Sequence, residues 1–263
     1  MASHRVLVAD PISEHGVALL NEHPDITADF IPDLGSQPEK LLEIIGDYDA
    51  LIVRSQTKPN AEVIARGSRL RAIGRAGVGV DNIDREAASA QGVIVMNTPT
   101  GNTVSTAEHA FALMLATARN IAPAHAEVLK GEFKSARKAF AGIELNGKRL
   151  AVIGMGRIGS EFVKRAQGFN MKVVAFDPFL TQARADELKV ELAESPDAAL
   201  TRADVVTLHV PLTDDTRHII NTERLALMNR GALVVNCARG GLIDEDALRT
   251  SIESGHIAGC ALD

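Results

Sequence analysis

Short apolar runs alternate with longer mixed segments along the first hundred residues. The clearest runs are RVLVAD, DALIVRS, RAIGRAG and GVIVMNT, and a weaker one covers residues 26–30. Between these runs the sequence favours helices, near residues 13–21, 38–45, 60–66 and 84–90. Strands separated by helices in this way form βαβ units, so this half of the chain predicts a parallel sheet.

The pattern changes after Pro99. Residues 105–119 form one long apolar-rich segment, which predicts a helix with a Ser or Thr cap and Glu108 in its first turn. We expect this helix to be the hinge between two domains. A second alternating series follows, with the runs KRLAVIG, MKVVAF, ADVVTLHV, GALVVNCA and IAGCALD. The chain is therefore predicted to be an α/β protein of two doubly wound parallel-sheet lobes.

Composition narrows the class of protein. The net charge of -6 comes from 34 acidic and 28 basic residues without a long block of one sign, which argues against nucleic acid as a partner. No apolar run approaches the ~20 residues of a membrane span, so we expect a cytoplasmic enzyme without a membrane partner. Cys237 and Cys260 lie in apolar runs and are predicted to be buried small hydrophobic residues, and we expect no metal site.

The segment AVIGMGRIGSEF, residues 151–162, combines a strand, a glycine turn and a helix start. Gly154 would permit the tight turn, Gly156 would let the backbone approach a pyrophosphate, and Gly159 would let helix and strand pack closely. The helix start, with Arg157, is suited to bind an anion. Asp177, at the end of the next strand, could accept both ribose hydroxyls and would repel a 2′-phosphate, which predicts NAD rather than NADP. Plain turns are the alternative for these residues.

Four motifs resemble those of the D-2-hydroxyacid dehydrogenases. In chain order they are GRAGVGVDNID (74–84), MNTPTGNTVSTAEH (96–109), GMGRIG (154–159) and NCARGGLIDEDAL (236–248). The resemblance covers essentially the whole chain and is nearest to the members that oxidise 3-phosphoglycerate. It implies a flavodoxin-like substrate domain, residues 1–99, a Rossmann NAD-binding domain, residues 100–263, a hinge helix at about 103–120, and an active site in the cleft. The implied reaction is reversible hydride transfer from C2 of this phosphorylated 2-hydroxy acid to NAD, giving 3-phosphohydroxypyruvate for serine biosynthesis.

Arg239 follows the strand GALVVNCA, where its guanidinium could fork onto the substrate carboxylate and the C2 oxygen. The resemblance matches it to the family's catalytic arginine, and an ion pair with Asp244 or Glu245 is the alternative. The loop RAGVG looks like a nest of N–H groups for the substrate carboxylate, although a flexible turn would fit equally well without the resemblance. The residues expected at the substrate are Arg54, Ser55, Arg75, Gly77, Val78, Gly79 and Asn102, with the two arginines directed at the phosphate.

On the cofactor side the resemblance implies mostly backbone contacts, with Asp263 at the nicotinamide carboxamide. His209 is expected to pack near the ribose and not to donate a proton, and His109 is expected to be a packed histidine of the hinge helix. The residues expected at the cofactor are Val78, Gly154, Gly156, Arg157, Ile158, Gly159, Asp177, His209, Val210, Cys237, Ala238, Arg239 and Asp263.

Two departures from the family qualify these expectations. The family's acid–base pair, a Glu and a His, would lie beyond Asp263. We therefore expect a C-terminally truncated segment that lacks this pair and the C-terminal helix that completes the substrate domain. Loss of a general acid or base lowers the reaction rate ~10² to 10⁴-fold. In residues 132–147, where close relatives usually have a tryptophan, this chain has none; Lys134, Arg137 or Lys138 could reach a substrate phosphate across a subunit boundary, and a solvated basic loop is the alternative. We expect a homodimer or higher homo-oligomer.

Two alternative functions remain open from the sequence. One is another D-2-hydroxyacid reductase, acting on glyoxylate or hydroxypyruvate. The other is an NAD-sensing binding module in which catalysis is secondary.

Overall fold

The computed structural model describes residues 4–263, which fall into two compact units. The first unit ends at Asn102 and the second is Thr103–Asp263. Each unit contains a parallel sheet of its own. Among residues 4–263 there is no helix with both the length and the apolar character needed to cross a bilayer.

The first unit has the flavodoxin-like topology. Its strands are β1 (His4–Val8), β2 (Ile26–Phe30), β3 (Ala50–Val53), β4 (Ala72–Arg75) and β5 (Ile94–Asn97), and its helices are α1 (Glu14–Asn21), α2 (Pro38–Ile44), α3 (Ala61–Arg66) and α4 (Arg85–Ala90). The described strands pair in parallel in the order β2-β1-β3-β4-β5. The strand order reverses beside β1, and in sheets of this kind ligands bind outside the carboxyl ends of the strands at such a point.

The core of the first unit forms on one face of its central strands, where apolar side chains lie in register. Leu7, Leu51 and Ile73 are fully buried on the neighbouring strands β1, β3 and β4. Polar residues fix where the helices begin: the side chains of Asn60 and Asp84 accept hydrogen bonds from the third residues of α3 and α4. The carboxyl ends of the central strands are thereby held in a defined position.

The second unit has the Rossmann topology. Its strands are β6 (Arg149–Ile153), β7 (Lys172–Phe176), β8 (Glu191–Leu192), β9 (Val205–Leu208), β10 (Ala232–Asn236) and β11 (Ile257–Leu262). Its helices are α5 (Thr103–Ala118), α6 (Ile121–Leu129), α7 (Phe133–Ala139), α8 (Arg157–Gly168), α9 (Gln182–Leu188), α10 (Pro196–Leu200), α11 (Thr222–Leu227) and α12 (Glu245–Glu253). The parallel order β8-β7-β6-β9-β10-β11 places β6 and β9 at the point where the order reverses.

This sheet separates two hydrophobic clusters. Along β6, Leu150 and Val152 point into one cluster, while Ala151 and Ile153 point into the other. The alternation follows from the two-residue period of a strand, and burial on both faces explains why β9 and β10 are apolar except at Thr207 and Asn236. The predicted fold class, with two doubly wound parallel-sheet lobes, is confirmed.

Several local expectations need correction. The long helix α5 begins at Thr103, so Glu108 lies beyond its first turn. Residues 132–147, for which a solvated basic loop was the alternative, contain α7, of which only Ala136 is buried. The cysteines are half-buried rather than buried. Helix α6 and the two-residue strand β8 were missed, because neither has a long apolar run.

Candidate functional site

A glycine turn joins β6 to α8. Gly154 has a φ of +99°, and a Cβ placed there would lie 2.6 Å from the carbonyl oxygen of His209. Gly156 is exposed, and a Cβ placed there would meet no described atom within 4 Å. The turn is therefore closed on the side of β9 and open at Gly156, where a ligand can reach the backbone.

Gly159 sets how closely α8 approaches the turn. A Cβ at this position would overlap the carbonyl oxygen of Gly154 and lie 3.1 Å from its carbonyl carbon. Both atoms belong to the backbone, so they cannot move aside as a flexible side chain would. The close contact between helix and turn therefore requires glycine.

Helix α8 presents its N-terminus at the open side of the turn. Gly156 is the N-cap, and Arg157 is the exposed first residue. Ile158 packs on the hydrophobic cluster, which holds the first turn of the helix in place. The N–H groups of a first helical turn have no intrahelical acceptor, so they can bind an anion, and Arg157 adds positive charge.

Asp177 follows β7 and holds the glycine turn. Its Oδ2 accepts a hydrogen bond from the Met155 N–H and its Oδ1 accepts one from the Phe179 N–H, both at 2.8 Å. A carboxylate oxygen has two lone pairs, so each oxygen can accept a second hydrogen bond. The residue thus supports the turn and could also accept hydroxyl groups of a ribose.

His209 follows β9 and packs beside this turn. Its Nε2 lies 3.1 Å from Oγ1 of Thr207, and its ring centroid lies 5.2 Å from that of Phe162. Burial lowers the pKa of His209 to about 4. The imidazole is therefore neutral at neutral pH, and it is unsuited to donate a proton there. Its neighbour Val210 packs on the second hydrophobic cluster.

Arg239 stands in a loop that the buried Asn236 organises. The Asn236 side chain accepts a hydrogen bond from Ala238 N at 3.0 Å and donates one to the Arg239 carbonyl oxygen at 2.8 Å. The guanidinium of Arg239 donates to the Ala238 carbonyl oxygen at 2.8 Å. Asp244, one of the two ion-pair partners considered above, caps α12 by accepting from Ala247 N. Sequence reasoning missed Asn236, although an Asn at a strand end followed by a loop is a recognisable local signal.

Cys237 and Asp263 lie at the same edge of the sheet, after β10 and at the end of β11. Burial, with a smaller contribution from Asp263, raises the pKa of Cys237 to about 11, so it remains a thiol. Asp263 lies 3.6 Å from Nε2 of His109. His109 is exposed on α5, which corrects the expectation that it is packed.

In the first unit, the candidate substrate residues follow β3 and β4. Arg54 and Ser55 are exposed, and Asn102 is exposed at the end of the unit. The Arg54 guanidinium donates to the Pro11 carbonyl oxygen at 3.3 Å. Sequence reasoning missed Asp10, whose carboxylate accepts a hydrogen bond from Arg54 N, and Asn82, whose Nδ2 donates one to the Arg54 carbonyl oxygen.

The loop after Arg75 was expected to offer successive N–H groups to a carboxylate. The Gly77 N–H donates to the Arg75 carbonyl oxygen at 2.9 Å, so a ligand would have to compete for it. The carbonyl oxygens of Gly77 and Val78 accept hydrogen bonds from Thr98 N and Asn97 Nδ2, which hold the loop from the other side. Gly79 follows them and is half-buried.

Comparison with known proteins identifies the family. Residues 111–263 match the model of the D-isomer specific 2-hydroxyacid dehydrogenase, NAD binding domain. A solved structure from Thermus thermophilus is 35% identical and has a TM-score of 0.90. The match covers 98% of this chain and 81% of the Thermus chain. The chain belongs to the D-isomer specific 2-hydroxyacid dehydrogenase family. The NAD-binding domain of the family model includes the glycine turn, Asp177 and Arg239.

Members of this family with stated activities are also similar. D-3-phosphoglycerate dehydrogenases from Methanocaldococcus jannaschii and Bacillus subtilis are 49% and 44% identical over 98% of this chain. The chain spans about half the length of these curated relatives, 48% in both cases. A glyoxylate reductase from Paecilomyes thermophila is 32% identical, with a TM-score of 0.86, and is covered over 82% of its chain by 100% of this one.

Proposed function

We propose that this protein catalyses the NAD-dependent oxidation of 3-phosphoglycerate to 3-phosphohydroxypyruvate, the first step of serine biosynthesis. The carrying observation is the arrangement at one sheet edge of the second unit, where the glycine turn, Asp177 and Arg239 follow β6, β7 and β10. The identity of 49% to a D-3-phosphoglycerate dehydrogenase favours this substrate.

The cofactor would be held by the turn and by Asp177. The open backbone at Gly156 and the N-terminus of α8 would bind the pyrophosphate, because N–H groups and the positive helix end favour an anion. Asp177 would accept the ribose hydroxyls with its remaining lone pairs and would repel a 2′-phosphate. When bound, NAD⁺ supplies the acceptor for the hydride that leaves C2 of the substrate. We propose that Val210, Cys237, Ala238 and Asp263 line this cofactor.

Arg239 would bind the reacting end of the substrate. A guanidinium presents two parallel N–H groups to the carboxylate, and it can also donate to the C2 oxygen. As the hydride goes to NAD⁺, the C2 hydroxyl passes its proton to a general base, a role to which we assign none of residues 4–263, and C2 becomes a carbonyl carbon. The low pKa of His209 makes it unsuited to take part in this proton transfer.

Residues of the first unit would bind the rest of the substrate. We propose Arg54 and Arg75 for the phosphate, because guanidinium groups bind phosphate oxygens bidentately. Ser55, Asn102 and the loop with Gly77, Val78 and Gly79 are proposed for the polar groups of the substrate. Helix α7 carries three exposed basic residues, which are proposed as candidates for a further phosphate contact: Lys134, Arg137 and Lys138.

The test is a kinetic comparison of 3-phosphoglycerate with D-glycerate, which lacks the phosphate, using wild type and Arg54→Ala. We expect a lower KM for 3-phosphoglycerate than for D-glycerate, and a difference that shrinks in the variant. Equal KM values for 3-phosphoglycerate and D-glycerate would favour reduction of glyoxylate or hydroxypyruvate. The similarity to a glyoxylate reductase supports this second candidate. NAD binding without turnover of any of these acids would favour a binding module.

We also propose that copies of the chain associate. The side chains of Ile121 and Leu129 on α6 and of Phe133 on α7 are exposed by 54%, 75% and 62%, which is unusual for apolar residues on neighbouring helices. Light scattering during size-exclusion chromatography should give at least twice the monomer mass. A monomer mass at micromolar concentration would contradict this proposal.

A further inference from the structure

The loop that follows β3, residues 54–57, is largely exposed, yet its backbone is bonded by side chains from other parts of the first unit. Arg54, Ser55 and Gln56 are exposed, whereas Thr57 is 1% exposed. The side chains that fix this loop come from Asp10 and Asn82, which are distant from it in sequence and follow β1 and β4.

Asp10 binds the N–H side of the loop. Its carboxylate is 0% exposed. Oδ2 accepts from Arg54 N at 2.5 Å, Oδ1 accepts from Thr57 Oγ1 at 2.6 Å, and Thr57 N lies 3.1 and 3.2 Å from the two oxygens. A buried carboxylate needs such donors, because its desolvation is otherwise unfavourable. The two ends of the loop are therefore fixed by one side chain.

Asn82 binds the carbonyl side of the same two residues. Its Nδ2 donates to the Arg54 carbonyl oxygen at 2.8 Å and to the Thr57 carbonyl oxygen at 2.7 Å. Both partners are acceptors, so only the NH₂ side of the amide can face them. Arg54 and Thr57 are thus bound at their N–H groups by Asp10 and at their carbonyl groups by Asn82.

Close packing leaves the loop little room to relax. A Cβ at Gly35 would lie 2.9 Å from Cβ of Gln56, 2.9 Å from Thr57 N and 3.0 Å from Oδ1 of Asp10. Hydrogen-bonded polar networks restrict a chain to one geometry, and here both oxygens of Asp10 and the Nδ2 of Asn82 are bonded to the loop, whereas Oδ1 of Asn82 has no partner among the described residues. The exposed side chain of Arg54 consequently starts from a fixed backbone position.

We propose that Asp10 and Asn82 are positioning residues for substrate binding. They hold the loop so that Arg54 and Ser55 meet an anionic 2-hydroxy acid without first paying the entropy of ordering the loop. This inference rests on the proposed function, because it assigns the loop to the binding of 3-phosphoglycerate. Asp10 and Asn82 act through the backbone of residues 54 and 57 and do not touch the substrate.

Isosteric substitutions test this proposal. In Asp10→Asn, an NH₂ group in place of Oδ2 faces the Arg54 N–H, and one in place of Oδ1 faces the Thr57 N–H and keeps only the Thr57 hydroxyl as an acceptor, so a charged acceptor of the loop is lost in either orientation. In Asn82→Asp, a carboxylate oxygen faces two carbonyl oxygens. Asp25→Asn and Asn60→Asp are the matched controls: Asp25 is exposed, and Asp at position 60 can still cap α3.

Steady-state kinetics with 3-phosphoglycerate and calorimetric titration with NAD are the measurements. We expect the KM for 3-phosphoglycerate to rise at least 10-fold in both variants, with the NAD Kd within twofold of wild type and kcat reduced less than the KM is raised. The controls should keep both constants. A KM unchanged in folded Asp10→Asn and Asn82→Asp would overturn the proposal, even if the melting temperature falls.

Thr57→Val covers the case in which both variants fail to fold, because it removes one hydrogen bond and keeps the shape of the side chain. We expect a KM increase of a few fold, and an unchanged KM would again overturn the proposal. A wild-type protein that does not oxidise 3-phosphoglycerate would refute the proposed function and this inference with it. Wild-type turnover with insensitive variants would refute the inference alone.

Discussion

The carboxylate of Asp177 accepts a hydrogen bond from the backbone N–H of Met155, with 2.8 Å between the two atoms. Asp177 follows β7, and Met155 lies in the glycine turn after β6. The residue proposed to select NAD by its charge therefore also fixes the turn proposed to bind the pyrophosphate. A change at Asp177 has to affect both parts of the cofactor.

Asp177→Asn should separate these two roles. An NH₂ group would face either Met155 N or Phe179 N, so the turn would lose one of its acceptors. Loss of a hydrogen bond to a charged group corresponds to about 1.5–3 kcal/mol, so we expect NAD affinity to fall roughly 10- to 100-fold. The affinity for NADP should rise little. The substitution removes the repulsion between the Asp177 carboxylate and the 2′-phosphate, but it also weakens the pyrophosphate site, which NADP uses as well.

Calorimetric titration with adenosine and with ADP checks this prediction. If Asp177 holds the turn, the substitution will weaken ADP more than adenosine, because only ADP uses the pyrophosphate site. Asp186→Asn is the control, since Asp186 is exposed on α9 and accepts from Gln182, which an Asn can also do. Equal losses for adenosine and ADP would restrict Asp177 to the ribose.

Gly159→Ala should destabilise the second unit. The added Cβ would overlap the carbonyl oxygen of Gly154, and relief requires α8 to move away from the turn. Overpacking of this kind costs about 1–3 kcal/mol, which in a protein of this size lowers the melting temperature by roughly 3–10 °C.

Gly168→Ala is the matched control for this substitution. Gly168 is the last residue of the same helix, and a Cβ there would meet no described atom within 4 Å. Its melting temperature should stay the same or rise slightly, because Ala favours helix over Gly. Similar decreases in both variants, measured by calorimetry, would show that the close contact at Gly159 does not determine the stability.

Most of the fold could be predicted from the sequence because the buried strands appear in it as short apolar runs. The segments ADVVTLHV and GALVVNCA become β9 and β10, whose residues are all buried. Strand β8 has only two residues, too few for an apolar pattern. Helix α7 buries only Ala136, so its sequence shows no apolar face and no helix was predicted there.

The candidate site was predictable where a residue type has a steric or charge requirement, as at Gly154 and Asp177. It was not predictable where a side chain binds distant backbone groups. Asp10 and Asn82 bind the Arg54 backbone across 44 and 28 positions of the sequence, and no local pattern encodes these contacts. Long-range polar contacts of this kind follow from the order of the strands and not from a motif.

Asn236→Asp should impair the loop that presents Arg239. The wild-type amide donates to the Arg239 carbonyl oxygen, whereas a carboxylate oxygen at that place would repel it. Loss of the hydrogen bond to this half-buried carbonyl costs about 0.5–1.5 kcal/mol, so we expect kcat/KM for 3-phosphoglycerate to fall roughly 2- to 10-fold.

Asn221→Asp is the control for the loop, because residue 221 caps α11 as an acceptor and Asp can do the same. The NAD Kd should change less than kcat/KM in Asn236→Asp, since Arg239 is proposed to bind the substrate. Unaltered kinetics in folded Asn236→Asp would remove Asn236 from the candidate site.

His209 should make the protein less stable in mild acid. Its pKa is about 4 when folded and 6.5 in a model peptide, because burial disfavours the charged ring. Between pH 6.5 and 4 the unfolded chain therefore binds a proton that the folded chain does not, and the free energy of unfolding falls as the pH falls. Integrated over this interval, the contribution is about 2–3 kcal/mol.

Urea unfolding of wild type and His209→Gln at several pH values isolates this contribution. Carboxyl groups titrate in both proteins, so the difference between the two pH profiles reports His209. Lost packing against Phe162 lowers the stability of the variant at every pH, whereas the proton effect changes only the slope. The gap between the two proteins should narrow by about 2–3 kcal/mol from pH 7 to pH 4. A His209→Gln profile that runs parallel to that of wild type would mean that the ring ionises as readily in the folded protein as in the unfolded chain.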